Sequence, residues 1–519
     1  MFNIFLKSLI ILLIIFYLAI NYTNLYKLYQ LNVYNPFKIF SEINKKNFIY
    51  ELFLLLIFNL LNFTHQNLFL LMLIYVLGYE LISYFINRKN FKNAKNKLIF
   101  TKRFVRFYIL FLTLNLIFLV LFAFKIIIDG NIYLIFINFK LISILLFLIS
   151  HYLLLPIEEF IKKIYILKAK QKLKKMPQLK VIGITGSFGK TSVKNYLFEM
   201  LKTKYKVCKT PNSYNTPMGF TKVILNDLKL DDDFLILEYG ADHNHDIKKL
   251  CKIIKPNYSI ITGVTNQHLK TFKTLQNIIS TKYELVENTL KGGCIVFNGD
   301  NIITKDFYKK TRKRKIIVGT NFKNDFYAKN IKIESNKTSF EFIDNLNNSY
   351  FVETKLLGRH NIINILLASS LSLKLGVSIE DIIETIKNLI PVPHRLNLIE
   401  NNGKFILDDS FNANTMGVYC ALEVLKTFKN NKIVITSGIV ELGKNSYEEN
   451  FKLGKALQEF NYVIITNKIN QKALLDGLNG GKNKVFYRDN LAQATNLLKN
   501  IFNVGDCVLF LNDLPDSYN

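Results

Sequence analysis

The segment Lys180-Val-Ile-Gly-Ile-Thr-Gly-Ser-Phe-Gly-Lys-Thr-Ser-Val-Lys194 decides the fold of this chain. It begins as an apolar, β-branched run typical of a buried parallel strand, breaks into a Gly/Ser turn, and continues as a periodic segment typical of a helix. A glycine turn between a strand and a helix gathers unpaired backbone N–H groups at the positive end of the helix dipole, which makes an anion site. The segment therefore predicts a loop that binds the phosphates of a nucleoside triphosphate.

Two side chains of this loop add to the anion site. The ammonium of Lys190 would face the outer phosphates, and the hydroxyl of Thr191 would bind Mg²⁺. The spacing is shorter than the strict G-x4-GK[ST] pattern, since Ile184 stands where the first glycine would be. An ordinary surface turn is the alternative, and the flanking strand and helix argue against it. The loop residues assigned to nucleotide binding are Thr185, Gly186, Ser187, Phe188, Gly189, Lys190, Thr191 and Ser192.

The composition is strongly basic, with 68 Lys and Arg against 39 Asp and Glu and a formal net charge of +29 over 519 residues. A chain of this length predicts roughly two to four domains. Nucleic acid is one partner for such a charge, but much of the excess lies beside apolar segments, where an anionic membrane surface explains it as well. The basic cluster at 309–315 lacks interleaved aromatic residues that could stack on bases, so we expect a solvated loop there. We predict membrane lipid, and no nucleic acid, as a partner.

The cysteines are scattered and form no CxxC pair: Cys208, Cys251, Cys294, Cys420 and Cys507. All of them follow the apolar first third of the chain. This distribution favours reduced thiols in a cytoplasmic domain over a disulfide framework or a zinc site.

Residues 1–160 predict a membrane region with about four transmembrane helices. The candidate spans are Ser8–Ile20 with the residues before it, the interrupted apolar region 52–86, Phe107–Ile128 and Ile132–Pro156. The first lacks the small-residue site that a cleaved signal peptide requires. The second is either one span preceded by an interfacial helix or a tight hairpin.

Two basic blocks set the predicted orientation of this region. One lies between 88 and 106, and the other lies in a linker at 161–179. The positive-inside rule places both in the cytoplasm, on the side where ATP is found. We therefore expect the chain in the bacterial inner (cytoplasmic) membrane, with its catalytic domains in the cytoplasm.

From Lys180 onward, strand and helix patterns alternate, which predicts α/β domains with a doubly wound, mostly parallel sheet. We expect a P-loop-type central ATP-binding domain at 180–392 and a smaller, Rossmann-like α/β domain at 393–519. Pro391-Val-Pro-His-Arg395 marks the junction, because two prolines stop the preceding helix. An antiparallel piece is expected between Phe326 and Leu357. The other predicted strands are Val181–Thr185, Phe234–Tyr239, Tyr258–Val264, Cys294–Asn298, Ile316–Gly319, Phe405–Leu407, Ile433–Thr436, Val463–Thr466, Val485–Tyr487 and Cys507–Leu511.

Several further motifs follow the phosphate loop in a fixed order. They are Asn215-Thr-Pro-Met-Gly219, Leu237-Glu-Tyr-Gly-Ala241, Gly263-Val-Thr-Asn-Gln-His-Leu269, Thr281-Lys-Tyr-Glu284, Gly358-Arg-His-Asn361 with Asn364, Pro393-His-Arg-Leu396, Asp408-Asp-Ser-Phe-Asn-Ala-Asn414 and Glu441-Leu-Gly443. Together with the loop, this series resembles the Mur ligase family of ATP-dependent amide-bond ligases. The resemblance covers about two-thirds of the chain. It is closest to the branch that adds D-alanyl-D-alanine to a UDP-N-acetylmuramoyl tripeptide in peptidoglycan precursor synthesis.

The resemblance implies a reaction and its cofactors. ATP would phosphorylate a substrate carboxylate, and an amine would displace phosphate from the acyl phosphate; such chemistry needs positioning and charge neutralisation. Thr191 and Glu238 would hold one Mg²⁺, and His268 would hold a second. The family carries a carbamate on the lysine at the position of Lys282, which would make this residue an anionic metal ligand. Lys190, Lys282 and His268 are thus the implied catalytic residues.

The resemblance also implies residues for the nucleotide and the substrates. His360, Asn361 and Asn298 would lie near the adenine, Arg395 would meet phosphate, and Asp409 would meet the ribose or order the closed state. Asn215 and Thr216 would belong to a loop on the substrate side, and Asn412 and Asn414 would contact the incoming D-alanyl-D-alanine or its loop. His243 and His245 suggest a polar helix start near the substrate more than a metal site.

The sequence departs from the family in three places. The soluble N-terminal domain that grips the uridine nucleotide is not recognisable, and predicted membrane spans occupy its place. Thr415 stands where proline usually follows the asparagines, and the chain end differs from the K-G-S type. Two alternatives therefore stay open: a membrane-associated ligase of the poly-γ-glutamate type, and a nucleotide-binding scaffold for cell-wall synthesis. Membrane-bound cell-wall synthesis enzymes are further expected partners.

Overall fold

The computed structural model describes residues 26, 29–31, 34–36, 99–129, 133–211, 214–266, 269–411, 415–440 and 442–511. The chain divides into two compact units, Met1–Lys163 and Ile164–Asn519. The predicted spans at Ser8–Ile20 and 52–86, and the basic residues 88–98, lie outside the described residues.

Two long helices, α1 (Lys102–Asp129) and α2 (Tyr133–Lys174), cover the predicted spans Phe107–Ile128 and Ile132–Pro156. Within the described part of the chain, one helical stretch of 33 residues, Ile142–Lys174, is long and apolar enough by composition to cross a membrane. Its helix runs through Pro156, where the sequence predicted an end. A proline removes a single N–H donor, and the helix-forming residues on either side continue the turn pattern.

An ion pair joins α1 and α2 in the N-terminal unit. Arg106 donates from Nε to Glu158 Oε1 (2.7 Å) and from Nη2 to Oε2 (2.9 Å), and Glu158 is buried. Further along, the Ser143 hydroxyl donates to Asn115 Oδ1 at 2.8 Å. Because both pairs are buried or half-buried, they specify which faces of the two helices meet. The sequence pattern predicted neither pair.

The second unit contains a nine-stranded sheet in the order β2-β3-β1-β4-β5-β6-β7-β8-β9. Neighbours are parallel from β2 to β7, and β7, β8 and β9 are antiparallel. The carboxyl ends of β1, β3, β4 and β5 therefore meet at one edge, where ligands bind in such folds. The strands are β1 (Lys180–Thr185), β2 (Val207–Lys209), β3 (Phe234–Glu238), β4 (Tyr258–Ile261), β5 (Cys294–Asn298), β6 (Arg314–Gly319), β7 (Phe326–Ile333), β8 (Thr338–Ile343) and β9 (Ser349–Thr354).

Helices cover both faces of this sheet and close two apolar cores. On α3 the predicted apolar positions Val193, Leu197, Met200 and Leu201 are all buried. Side-chain caps begin several helices; the Thr216 and Thr274 hydroxyls accept from backbone N–H groups in the first turn. The helices are α3 (Lys190–Leu201), α4 (Pro217–Asn226), α5 (Asp246–Cys251), α6 (Leu269–Phe272), α7 (Leu275–Asn288), α8 (Ile302–Lys310), α9 (Arg359–Lys374) and α10 (Ile379–Asn388).

A six-stranded sheet follows, in the order β10-β11-β15-β12-β13-β14. All neighbours are parallel except the β10–β11 hairpin. The strands are β10 (Asn397–Asn401), β11 (Lys404–Asp409), β12 (Lys432–Thr436), β13 (Tyr462–Thr466), β14 (Lys484–Arg488) and β15 (Cys507–Leu511). The helices are α11 (Thr415–Lys426), α12 (Ser446–Leu457), α13 (Gln471–Leu478) and α14 (Leu491–Ile501), with a 3-10 turn at Gly443–Asn445.

The predicted α/β architecture with mostly parallel sheets is confirmed, and each predicted strand is present within a few residues. Two strands were missed. β2 has three residues, too few for a periodic pattern, and β10 is polar at both ends. Both gain their strand conformation from a neighbour, β3 and β11 respectively.

The basic cluster at 309–315 is more ordered than the predicted solvated loop, since it runs from the end of α8 into β6. The Lys313 ammonium donates to the carbonyls of Val286, Glu287 and Thr289 at 2.6–2.8 Å. It therefore caps the C-terminal end of α7, where unpaired carbonyls and the helix dipole favour a cation. Lys315 does the same for α8.

Replacing Lys313 by methionine should destabilise the chain, because three carbonyls at the end of α7 lose a charged donor. We expect a loss of about 1 kcal/mol in the free energy of unfolding, visible as a lower Tm. Lys309→Met is the matched control, since the Lys309 side chain is 68% exposed and its nearest carboxylate oxygen is 3.9 Å away. Equal Tm values for the two variants in thermal unfolding would contradict the capping role.

Candidate active site

The phosphate loop connects β1 to α3 at the carboxyl edge of the central sheet. Gly186 and Gly189 both have positive φ, at 154° and 75°. A side chain on Gly186 would overlap Thr262, and one on Gly189 would overlap the Asn364 amide. Only glycine fits either position, because the backbone is left-handed or strained there and a neighbour fills the space of a Cβ.

The Lys190 side chain folds back over this loop. Its ammonium donates to the Gly186 carbonyl at 2.7 Å, and burial lowers the pKa of the amine. The hydroxyl of Ser187 is also engaged, accepting from the Thr265 N–H at 3.1 Å. The loop is therefore held in shape by its own side chains and by the segment after β4.

Glu238, the last residue of β3, lies beside the first turn of α3. The Thr191 hydroxyl donates to its carboxylate, with distances of 3.1 Å to Oε2 and 3.3 Å to Oε1. The Lys194 ammonium donates to Oε2 at 3.2 Å. Both Glu238 and Lys194 are almost completely buried. Strand β3 and helix α3 thus bring together the two residues that the sequence assigned to one Mg²⁺.

These oxygens suit Mg²⁺ chemically. The ion prefers hard oxygen ligands, binds proteins through one or two carboxylates, and takes its other ligands from phosphates and water. Within the described residues, no group of three or more His, Cys, Asp or Glu side chains is placed to hold a metal ion. A hydroxyl and a carboxylate next to a phosphate loop are the donor set expected of a magnesium–nucleotide site. His268, assigned to a second ion, lies outside the described residues.

Lys282 lies on α7 and is 3% exposed. Burial, aided by the charge of Lys190, lowers the pKa of its amine to about 7, and the nearby carboxylates of Asp242 and Asp246 act in the opposite direction. A large share of this amine is therefore neutral near pH 7, and a neutral amine is a nucleophile.

The segment between β3 and α5 is fastened to α7. The carboxylate of Glu284 bonds His245 Nδ1 and accepts from the Lys248 N–H, both at 2.8 Å. His245 directly precedes α5, so a helix begins where the histidine pair predicted a polar helix start. His243 and His245 are exposed.

A cavity of about 520 Å³ opens beside the phosphate loop, between the central and C-terminal sheets. Such a volume suits a nucleotide or a drug-sized ligand. The residues of its wall that the sequence assigned to the nucleotide are Phe188, Gly189, Ser192, Asn298, His360, Arg395 and Asp409.

His360 lines this cavity and also carries an unusual polar atom. Its Nδ1 is buried and has no hydrogen-bond partner among the described residues. Burial, aided by the charge of Arg395, lowers the pKa of the imidazole to about 4, so the ring is neutral near pH 7. This nitrogen lies close to Gly358, where a Cβ would approach it to 3.1 Å.

Arg395 and Asp409 face each other from the domain junction and the end of β11. Burial raises the pKa of the Asp409 carboxyl to about 7, although the Arg395 charge opposes the shift. Asp409 accepts from the Leu396 N–H at 3.1 Å, and the Arg395 guanidinium lies 4.8 Å from the centre of the Phe411 ring. The junction therefore brings a cation and an aromatic ring to the cavity.

Asn298 and Asn361 hold the segments around the site in place through side-chain hydrogen bonds. The Asn298 amide donates to the Thr262 carbonyl at 2.8 Å and accepts from the Asp300 N–H at 3.0 Å. Asn361 accepts from the Tyr196 hydroxyl at 3.0 Å and donates to the Leu357 carbonyl at 2.9 Å. These bonds order the loop after β5 and the start of α9.

The predicted substrate loop lies next to Glu238. The Asn215 side chain packs against Gly240, where a Cβ would overlap it, and Thr216 caps α4. Asn412 and Asn414, the other residues assigned to the substrate, lie outside the described residues.

Sequence reasoning missed Lys194. It lies on the inward face of α3, one turn after Lys190, among apolar residues. A lysine at an apolar-periodic position was the available signal, because a buried ammonium requires a partner.

Comparison with known proteins agrees with this geometry. Residues 184–372 match the Mur ligase middle domain, and residues 394–512 match the Mur ligase, glutamate ligase domain. The UDP-N-acetylmuramoyl-tripeptide–D-alanyl-D-alanine ligase of Buchnera aphidicola is 31% identical over 327 residues, which cover 62% of this chain and 69% of that protein.

Two solved structures share the fold. The crystal structure of MurF from Acinetobacter baumannii has a TM-score of 0.62 at 25% identity and covers 69% of this chain and 78% of its own. The MurF ligase of Thermotoga maritima in complex with ADP has a TM-score of 0.61 at 28% identity, and the match covers 68% of this chain and 80% of that structure's chain. With its phosphate loop, its buried carboxylate and its two matched domains, the chain belongs to the Mur ligase family.

Proposed function

We propose that this chain is an ATP-dependent amide-bond ligase that joins D-alanyl-D-alanine to a UDP-N-acetylmuramoyl tripeptide. The observation that carries the proposal is the phosphate loop facing Glu238 and Lys282, next to a cavity of nucleotide size. Relatives and structural neighbours named for this reaction give the substrates. ATP is the phosphoryl donor, consistent with the ADP complex of the Thermotoga maritima neighbour.

The reaction has two steps. The substrate carboxylate oxygen attacks the γ-phosphorus, the bond to the β,γ-bridging oxygen breaks, and ADP leaves with that oxygen. The amine of D-alanyl-D-alanine then attacks the acyl carbon, the C–O bond to phosphate breaks, and the nitrogen loses a proton to solvent or a base. The result is a new amide bond, ADP and phosphate.

The chain's residues serve this reaction by position and charge. Backbone N–H groups at the start of α3 and the Lys190 ammonium stabilise the charge on the transferring phosphoryl group. Thr191 and Glu238 would hold Mg²⁺, which neutralises phosphate charge when it is bound. His360, Arg395 and Asp409 line the cavity for the rest of the nucleotide.

Incubation with ATP, Mg²⁺, the UDP-linked tripeptide and D-alanyl-D-alanine should yield the UDP-linked pentapeptide and equimolar phosphate. Mass spectrometry detects the product, and a phosphate assay measures turnover. Lys190→Met should reduce turnover at least 100-fold, because the transferring phosphoryl group loses a cation. Absence of the pentapeptide would contradict the proposed substrates. Phosphate release with glutamate alone would favour a ligase of the poly-γ-glutamate type.

Lys282 is proposed to carry a carbamate. Its neutral amine attacks the carbon of CO2, a C–N bond forms while one C=O π bond breaks and its electron pair moves to oxygen, and the nitrogen loses a proton, so a neutral buried amine becomes an anion suited to a metal–phosphate site. Support comes from its burial and from a pKa lowered to about 7. Such an amine reacts at neutral pH, whereas an ordinary lysine is protonated there.

Carbamate formation predicts a dependence on pH and CO2. The neutral fraction of the Lys282 amine grows as the pH rises through about 7, so activity in limiting bicarbonate should increase over that interval. NMR with ¹³C-bicarbonate should show a carbamate signal that Lys282→Ala lacks. The half-buried Lys313 supplies the control variant, Lys313→Met, which should keep the signal. A parent protein without the signal, active in CO2-free buffer, would contradict the modification.

We further propose that the N-terminal region anchors the chain in the cytoplasmic membrane, where the uridine-binding domain of the family would otherwise stand. Support comes from the helical stretch Ile142–Lys174, which contains an apolar window long enough to cross a membrane, and from the basic residues in its C-terminal part. The catalytic unit then works in the cytoplasm, beside the membrane-bound enzymes that consume its product.

Anchoring predicts how the full chain fractionates. After lysis it should remain in the membrane pellet through an alkaline carbonate wash, and detergent should release it. A spanning helix resists such a wash because its apolar surface is buried in lipid, whereas charge-held proteins dissociate. Recovery of the chain in the carbonate supernatant would show surface binding only.

A further inference from the structure

Lys194 is a charged residue that the proposed reaction leaves unused. Its side chain is 1% exposed on the inward face of α3, against the central sheet. Removing an ammonium from water is costly unless a partner compensates for the lost hydration. One partner among the described residues is the carboxylate of Glu238, 3.2 Å away and also buried.

Glu238 is held from two points of one helix. Thr191 donates to Oε2 at 3.1 Å, and Lys194 donates to the same oxygen at 3.2 Å. The two residues are three positions apart, so their side chains project from the same face of α3. The carboxylate thus has a fixed orientation relative to the phosphate loop that begins the same helix.

The two oxygens of the Glu238 carboxylate have different surroundings in this arrangement. The described bonds put the ammonium on Oε2, and Oε1 is approached by the Thr191 hydroxyl at 3.3 Å. Oε1 does not accept from the Lys194 ammonium in these bonds, so it is the carboxylate oxygen better placed to bind a cation. The Glu238 side chain has three rotatable bonds. Because the hydrogen bonds already hold it in one orientation, it loses less conformational entropy when a cation binds.

We propose that Lys194 is a positioning residue that holds Glu238 ready to bind the metal of the metal–nucleotide complex. This inference relies on the proposed Mg²⁺–ATP site, and it concerns the ion, not the acceptor. It assigns a role in metal affinity to a residue outside the phosphate loop and outside the metal ligands.

A simple counter-ion role predicts the opposite effect. An ammonium that merely offset the charge of Glu238 would compete with Mg²⁺ for the same carboxylate, and its removal would leave the metal affinity equal or higher. A positioning residue lowers the affinity when it is removed. The sign of the change therefore separates the two roles.

The test measures binding, not turnover. Calorimetry of the full chain gives the ADP affinity with and without Mg²⁺. The ratio of these two affinities is the metal gain, the factor by which Mg²⁺ strengthens ADP binding. In Lys194→Met this gain should fall 10-fold or more, as is usual when a residue that supports a metal ligand is lost. ADP affinity without metal should change less than about 2-fold, since the loop N–H groups and Lys190 remain. Lys194→Gln, which keeps a donor, should give an intermediate gain.

Two controls complete the design. Lys209→Met removes a half-buried lysine that bonds Asn195 of the same helix, and it should leave the gain unchanged. In a Glu238→Gln background, Lys194→Met should change the gain less than 2-fold, because Lys194 acts through that carboxylate. Thermal unfolding checks that each variant is folded, and if the methionine variant is not, the glutamine variant decides.

An equal or larger metal gain in a folded Lys194→Gln or Lys194→Met protein would overturn the proposal. The proposal would also be overturned if Lys194→Met lowered the metal gain in the Glu238→Gln background as much as it does in the parent chain. A parent chain that binds no ADP would instead refute the nucleotide site itself, while a chain that binds Mg²⁺–ADP normally yet makes no pentapeptide would refute only the substrates.

Discussion

The structure depends on compensating buried charge at the carboxyl edge of the central sheet. Glu238, Lys194 and Lys282 are buried there, and Lys190 beside them is half-buried. Each such charge is costly unless it is paired, bonded to backbone or neutralised. Lys194 is paired with Glu238, Lys190 bonds carbonyls of its own loop, and the pKa of Lys282 falls to about 7. A site that tolerates this density of cations is suited to a polyphosphate.

The cavity beside the phosphate loop is built from both sheets of the second unit. The phosphate loop and His360 come from the central part, while Asp409 and Phe411 come from the end of β11 and the segment after it. Arg395 lies between them, on the junction where His394 and Leu396 have positive φ. A cavity built from two sheets can enclose a ligand on several sides, which excludes water and strengthens the electrostatic interactions inside it.

The N-terminal unit follows a different physical rule. Among its described residues, α1 and most of α2 are apolar, and buried polar side chains are paired there, Arg106 with Glu158 and Asn115 with Ser143. Pairing of this kind is required wherever water is scarce, in a protein core as in a bilayer. Tyr29 and His151 form another such pair, at 2.5 Å.

The sequence by itself determined the elements whose physics is local. The strand, glycine turn and helix of residues 180–201 form a phosphate loop because consecutive backbone N–H groups and a helix dipole make the site. The ordered motifs were enough to indicate the family. The alternation of strand and helix patterns was enough to predict the mostly parallel sheets. Only the tertiary structure decided that Lys194 meets Glu238, that the Asn298 amide bonds backbone, and that His360 Nδ1 has no partner in the part of the chain that the structure describes. The physical reason is that helix periodicity places a side chain on an inward face, but what it meets there depends on strands distant in sequence.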